Sequence, residues 1–171
     1  MPTKLLSYQH ILSALPDPNF SNYCPVDYAG QLIGHVNREH LPSFLRFTSI
    51  FQWDEQAQRL NFAQSFTDLA LDQRTEALAT LSNELRSQGL VNNWRDELFS
   101  IYLDVDRNNE IFRLERGVVP LLALQAHGVH LNGYVMIHDR PHVWIGQRSA
   151  NRVIAPLKYD QLVAGGLPAQ L

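Results

Sequence analysis

The segment from Asp72 to Gln88 carries the clearest helical pattern in the chain, and it governs what the rest can be. Leu78, Leu81 and Leu85 recur at three- and four-residue spacing and define one inner face. Asp72 is placed to cap the start of this helix, and Gly89 to close it. A helix with a single apolar stripe must bury that stripe against another element. Most apolar runs around it are short and bounded by turn residues, which predicts strands. The two patterns together predict an α+β fold.

Along the chain, Leu5, Leu6, Ile11, Leu12 and Leu15 have helical spacing, and Pro16-Asp17-Pro18 stops that helix. Val26–Tyr28 and Gln31–Val36 flank Ala29-Gly30 and read as a hairpin. Arg38–Phe47 predicts a short helix with Pro42 in its first turn and Leu41, Leu45 and Phe44 as its inner residues. Ile50–Trp53 and Arg59–Phe62 form a strand pair about Asp54-Glu55-Gln56. Glu97–Leu103 and Glu110–Leu114 read as strands, and Gly117–His127 as a helix ended by Gly128. Asn132–His138, His142–Gln147 and Gln161–Gly165 are short apolar segments divided by polar or proline-containing turns.

With 171 residues, 45% of them hydrophobic and 18% charged, the chain suffices for one domain, or for a small domain plus part of another. The formal net charge of −3 gives no broad electrostatic reason to bind nucleic acid or an anionic membrane. A single cysteine, Cys24, cannot form an internal disulfide and is expected as a small buried apolar residue. Ser7, Gln9 and His10 interrupt any apolar signal core, and no window approaches the roughly 20 apolar residues of a membrane span. The expectation is a soluble cytoplasmic protein.

Later motifs carry a resemblance. Gly128-Val-His-Leu-Asn-Gly-Tyr-Val135, His142-Val-Trp-Ile-Gly-Gln-Arg-Ser149 and Asp160-Gln-Leu-Val-Ala-Gly-Gly166 resemble, in order, the opening of a Nudix hydrolase domain. Upstream, Trp94-Arg-Asp-Glu97 and Leu114-Glu-Arg116 resemble motifs of an accessory domain related to the N-terminal part of fungal thiamine pyrophosphokinases. The resemblance covers residues 90–171 well and the first 90 loosely. It implies an accessory domain over residues 1–126, with antiparallel strands and three or four helices. It further implies that residues 127–171 are the opening strands of an incomplete, mixed Nudix sheet.

Gly166 resembles the first glycine of the Nudix box, G-x5-E-x7-R-E-U-x-E-E-x-G-U, and Gln170 stands near where relatives often have glycine. The resemblance implies that the box glutamates, which hold divalent metal against a diphosphate, lie beyond Leu171. The chain is therefore expected to be a fragment with no catalytic residue or cofactor of its own. Its complete parent is expected to use magnesium to hydrolyse a small organic diphosphate, thiamine diphosphate or a related compound being the candidate. Asp72, Glu76 and Glu84 on the long helix are not spaced to converge on one metal.

Substrate-contact candidates are Arg148, Asn132, Tyr134, Gly165 and Gly166. An arginine at a strand end can pair with phosphate through two hydrogen bonds, or simply be a solvated charge. Asn132 and Tyr134 could bond or stack on a ligand, although strand alternation makes Tyr134 a core candidate. Gly165-Gly166 supplies backbone freedom where strand turns to helix. Trp94, Arg95 and Glu97 are candidates for anchoring the accessory domain to the Nudix portion, with Arg116 pairing to Glu97 or Asp96.

A rival reading rests on Asp104, Asp106, Asn108 and Glu115, which stand at positions 1, 3, 5 and 12 of an EF-hand calcium loop. Asn109 occupies the position where the loop needs glycine, and the flanks suit a hairpin turn. His127 and His130 are three apart across a glycine and lack companions for a zinc site. Ser100 and Ser149 lie outside any nucleophile elbow. The alternative to the hydrolase reading is a freestanding small-molecule-binding or dimerisation module, in which a homodimer covers an exposed sheet edge.

Overall fold

The computed structural model describes residues 19–152 and 154–169. The helix expected over Leu5–Leu15 and the position of Gln170 lie outside these residues. Strand β1 (Tyr23–Tyr28) turns back into β2 (Gln31–Asn37) through Ala29 and Gly30. Their φ values of 49° and 80° are the left-handed pair that a two-residue hairpin loop demands. Helix α1 (Leu41–Leu45) has Pro42 in its first turn; Phe44 is its buried residue, while Leu41 and Leu45 are only partly covered. Strands β3 (Phe51–Asp54) and β4 (Arg59–Phe62) follow. Asp54 Oδ1 shapes their turn by accepting the amides of Gln56 at 3.0 Å and Ala57 at 2.9 Å.

These strands form a sheet of order β2-β1-β4-β3. The ladder between β1 and β4 is parallel, pairing Val26 with Leu60, and so departs from the purely antiparallel expectation for this region.

Helix α2 (Gln64–Thr67) leads into α3 (Leu71–Ser87), whose inner face is Leu78, Leu81, Ser82 and Leu85. The expected cap, Asp72, stands instead in the first turn, where its charge still suits the helix dipole. Ala70 is the cap residue, and its amide donates to Gln73 Oε1 at 3.0 Å. Gly89 closes the helix as expected. At a φ of 73° it lets its own amide reach Arg86 O and the amide of Leu90 reach Leu85 O.

Strands β5 (Leu98–Tyr102) and β6 (Glu110–Glu115) form a hairpin against α3. The expected helix over Gly117–His127 is a single 3-10 turn, Val119–Leu122, closed by Ala123 at a φ of 45°. Burial of both Leu122 and Leu124 accounts for the early stop, because the chain must reverse to keep each in the core. β2 passes so close here that a side chain at Gly34 would overlap Leu122 O. Gly128 opens a strand instead of ending a helix.

The buried hydrophobic side chains described all lie between Cys24 and Leu124. At their centre Phe112 meets Tyr28, Phe62 and Phe66, with ring centroids 5.1–6.2 Å apart. Cys24 is fully buried and unpaired by disulfide, as expected.

The remaining strands make three antiparallel ribbons. β7 (Gly128–Leu131) pairs with β12 (Val163–Gly166), β8 (Tyr134–Ile137) with β9 (Arg140–Val143), and β10 (Gly146–Gln147) with β11 (Tyr159–Asp160). The single strand expected over His142–Gln147 divides at Trp144, whose amide leaves the ladder to reach Gly133 O at 2.9 Å. The fold is α+β. No described helix is long and apolar enough to cross a membrane.

Candidate functional site

Two places gather the residues singled out by sequence. The first is a cleft of about 490 Å³ among the late strands, lined by His130, Asn132, Trp144, Tyr159, Asp160 and Gln161, with Val143 and Ile145. Its floor is set by pairing: the side chain of Gln161, in the link between β11 and β12, hydrogen-bonds His130 Nδ1 of β7. Trp144 and Tyr159 are exposed, offering flat apolar faces beside polar groups, a combination suited to a planar organic ligand.

Arg148 lies just beside this cleft, in a neighbouring groove that shares Asp160 and Gln161. Its guanidinium is occupied within the chain. Nη1 donates to Asp160 Oδ2 at 2.6 Å and Nη2 to Ile154 O at 2.9 Å, which ties the loop between β10 and β11 together. The Arg148 hydrogen bond holds the Asp160 carboxyl below the usual carboxylate range. Asn132 lines the cleft directly. Tyr134 does not line it; opposite Val143 it is 66% exposed, which corrects the core expectation, because no described element packs over β8.

Gly165 has open space where a side chain would stand, whereas a methyl group at Gly166 would overlap the ring of Phe99. The glycine at 166 is therefore required by a close approach between strands of the two halves of the chain. Sequence reasoning missed Trp144, Tyr159, His130, Asp160 and Gln161. Tyr159, an aromatic between Lys158 and Asp160 in a short strand, was a legible signal, and Trp144 stood out within a short apolar segment. The pairing of Gln161 with His130 was not, since 31 residues separate them.

The second place is the loop 94–97 around Glu115. Glu115 is 4% exposed, and its carboxylate accepts three backbone amides: Arg95 at 2.9 Å, Glu97 at 3.2 Å and Gly117 at 3.1 Å. A carboxylate among amides is a strong local organiser, because each bond is charge-assisted. Arg116 bridges to Glu97, as expected, and lies over the Phe99 ring at 5.0 Å. Trp94 is held by Asp96 through its ring N–H, and Arg86 of α3 covers its face at 4.4 Å.

This arrangement separates the residues of the calcium alternative. Asp104 directs both carboxylate oxygens to amides of its own turn, Asn108 at 2.9 Å and Asn109 at 2.8 Å. Glu115 is at the far end of β6, five strand residues or roughly 17 Å beyond Glu110. An EF-hand needs its last glutamate folded back onto the first ligands, and an extended strand prevents that. Among the described residues, no three of His, Cys, Asp and Glu stand where they could hold a metal ion. The described residues therefore do not form a magnesium site.

Glu110 makes a testable pair. Burial would raise its pKa, but hydrogen bonds from Arg113 at 2.9 Å and Ser100 at 2.6 Å outweigh that and lower it. A carboxyl depressed in the folded state stabilises the fold above its unfolded pKa, and the contribution is lost as pH falls through the folded value. Stability is expected to decline below about pH 4, less steeply in Glu110→Gln. Urea midpoints between pH 3 and pH 6 check this; equal slopes for both chains would refute it.

The fold and these sites define a compact α+β domain joined through its β5–β6 hairpin to a run of antiparallel ribbons. The chain belongs to the family described as a domain of unknown function, DUF4743, whose profile matches residues 10–126. It is 28% identical over 151 residues to a protein named Nudix hydrolase 20, chloroplastic, of Arabidopsis thaliana, covering 85% of this chain and 40% of that protein. Nudix hydrolase 24, chloroplastic, of the same plant is 28% identical over 149 residues, covering 85% of this chain and 39% of that protein. An uncharacterized protein of Saccharomyces cerevisiae is 29% identical over 126 residues, covering 71% of this chain and 35% of its own. The family is thus Nudix-associated, and the chain spans about 40% of the length of these plant relatives.

Proposed function

We propose that this chain is the accessory domain and opening strands of a Nudix-type diphosphate hydrolase, with the boundary between residues 126 and 127. The observation that carries the reading is the plant similarity, which runs over 85% of the chain and so extends past the family profile's end at residue 126 into the late strands. The fold supports the boundary, since the buried core described ends at Leu124 and the ribbons begin at Gly128.

In this reading the cleft beside Asn132, with Trp144 and Tyr159, takes the organic part of a small diphosphate. Magnesium, implied for the whole protein by the resemblance, would be held by carboxylates in the part of the relatives' length that this chain does not span, and would supply charge neutralisation for the diphosphate. Thiamine diphosphate or a related compound is the proposed substrate, on the strength of the accessory-domain motifs. Arg148 serves as an anchor for Asp160, because its guanidinium is already engaged.

The test is to express the reading frame extended past Leu171 and to measure magnesium-dependent hydrolysis of thiamine diphosphate by chromatography of the organic products. ADP-ribose and a nucleoside triphosphate, whose cleavage to monophosphates need release no inorganic phosphate, serve as comparison substrates in the same assay. Hydrolysis of thiamine diphosphate above the comparison substrates supports the reading. A stop codon after Leu171, or no hydrolysis of any diphosphate, refutes it.

A further inference from the structure

Strand β5 is paired on one side only, by β6, which leaves an open edge. The chain places its own residues 166–169 there. The amide of Ala169 donates to Leu98 O at 2.8 Å, and that of Leu167 donates to His127 O at 2.9 Å. Gly166 sits against the far end of the Phe99 ring so closely that no side chain fits. Phe99 is itself clamped, only 6% exposed and covered by Arg116, which Glu97 holds. Behind them Glu115 fixes the amides of Arg95 and Glu97, the residues that lead into β5. Asp96, Glu97 and Leu98 on one side and Pro168 and Ala169 on the other enclose a small groove of about 300 Å³.

We propose that this edge is an intramolecular docking platform, and that the family domain acts on the rest of its polypeptide by position. It holds the segment leaving β12 at a fixed place and angle. Glu115, Arg116 and Phe99 are positioning residues of that platform. The docking stands on the contacts alone; that the docked segment opens a catalytic helix rests on the hydrolase reading above. The motifs Trp94-Arg-Asp-Glu97 and Leu114-Glu-Arg116 then have a common purpose. One shapes the loop, the other supplies the carboxylate and guanidinium that hold it. A binding module would instead turn such residues toward a free pocket.

Amide hydrogen exchange on the 171-residue chain tests the docking without reference to activity. The amides of Leu167 and Ala169 are expected to be protected in the parent chain. In Gly166→Ala, whose new methyl meets Phe99, their protection is expected to fall by about tenfold or more, while Leu81 and Leu85 in α3 keep theirs. Phe99→Leu added to Gly166→Ala removes the far end of the ring and is expected to restore most of the loss. Ala169 exchanging as a free amide in the parent chain, or protection unchanged by Gly166→Ala, would overturn the proposal.

In the extended protein, Arg116→Gln is expected to lower kcat with little change in KM, since it moves the box without touching substrate. A rise in KM at unchanged kcat would contradict positioning. Failure of any hydrolase activity would sink the hydrolase reading while the exchange result still decided the docking.

Discussion

Replacing Phe112 with alanine is expected to cost about 4 kcal/mol of stability, the largest single effect in the chain. The ring is fully buried, and three aromatic neighbours surround it: Tyr28 from β1, Phe62 from β4 and Phe66 from α2. These come from separate elements, so none can move into the space without leaving its own. The cost therefore combines lost transfer energy with a cavity that does not collapse. Against a typical total of about 5–15 kcal/mol, such a loss removes much of the margin. Urea unfolding should show the midpoint falling while the slope is kept, and Phe112→Leu should lose less than half as much. A loss under about 1 kcal/mol for the alanine variant would mean that the four rings do not pack as described.

Glu115→Ala is expected to cost about 3 kcal/mol, although it removes a charged residue and fills no cavity with anything polar. Three backbone amides lose a charged acceptor at once, and the loop 94–97 has no other described partner for two of them. Glu115→Gln separates the causes. Its amide oxygen can replace Oε1, which serves Arg95 and Gly117, while its NH₂ group faces the Glu97 amide and cannot accept. The glutamine variant is expected to lose about 1 kcal/mol, measured by the same urea series. Equal losses for alanine and glutamine would show that the carboxylate's charge matters and its count of acceptors does not.

Local chemistry made some of this legible in sequence. Ala29-Gly30 marked a hairpin, the leucine stripe marked α3, and Gly89 marked its end, because each depends on neighbours within a few residues. The 3-10 turn at Val119–Leu122 was misjudged because its length is set by where Leu122 and Leu124 must be buried, which no local pattern encodes. The parallel β1–β4 ladder was hidden for the same reason, since Val26 and Leu60 meet only in the folded sheet. Glu115 was noticed for the wrong partners. A twelve-residue motif placed it with Asp104, whereas strand geometry sends it to Arg95, Glu97 and Gly117. The Arg116–Glu97 pair was foreseen by opposite charge and motif proximity; Phe99 beneath it and Gly166 beyond it were not.

The late ribbons differ in how much chain must exist before each can close. β8 and β9 pair Ile137 with Arg140 and Tyr134 with Val143, so both partners of that ribbon are present once Val143 has been made. β7 must wait for β12, since Gly128 pairs with Gly166 and Leu131 with Val163. During that interval β7 offers unpaired amides and carbonyls and the exposed Val129 and Leu131 to any neighbouring chain. Slow translation between residues 131 and 163 would lengthen this exposure, and a chaperone acting on nascent chains would find its opening there.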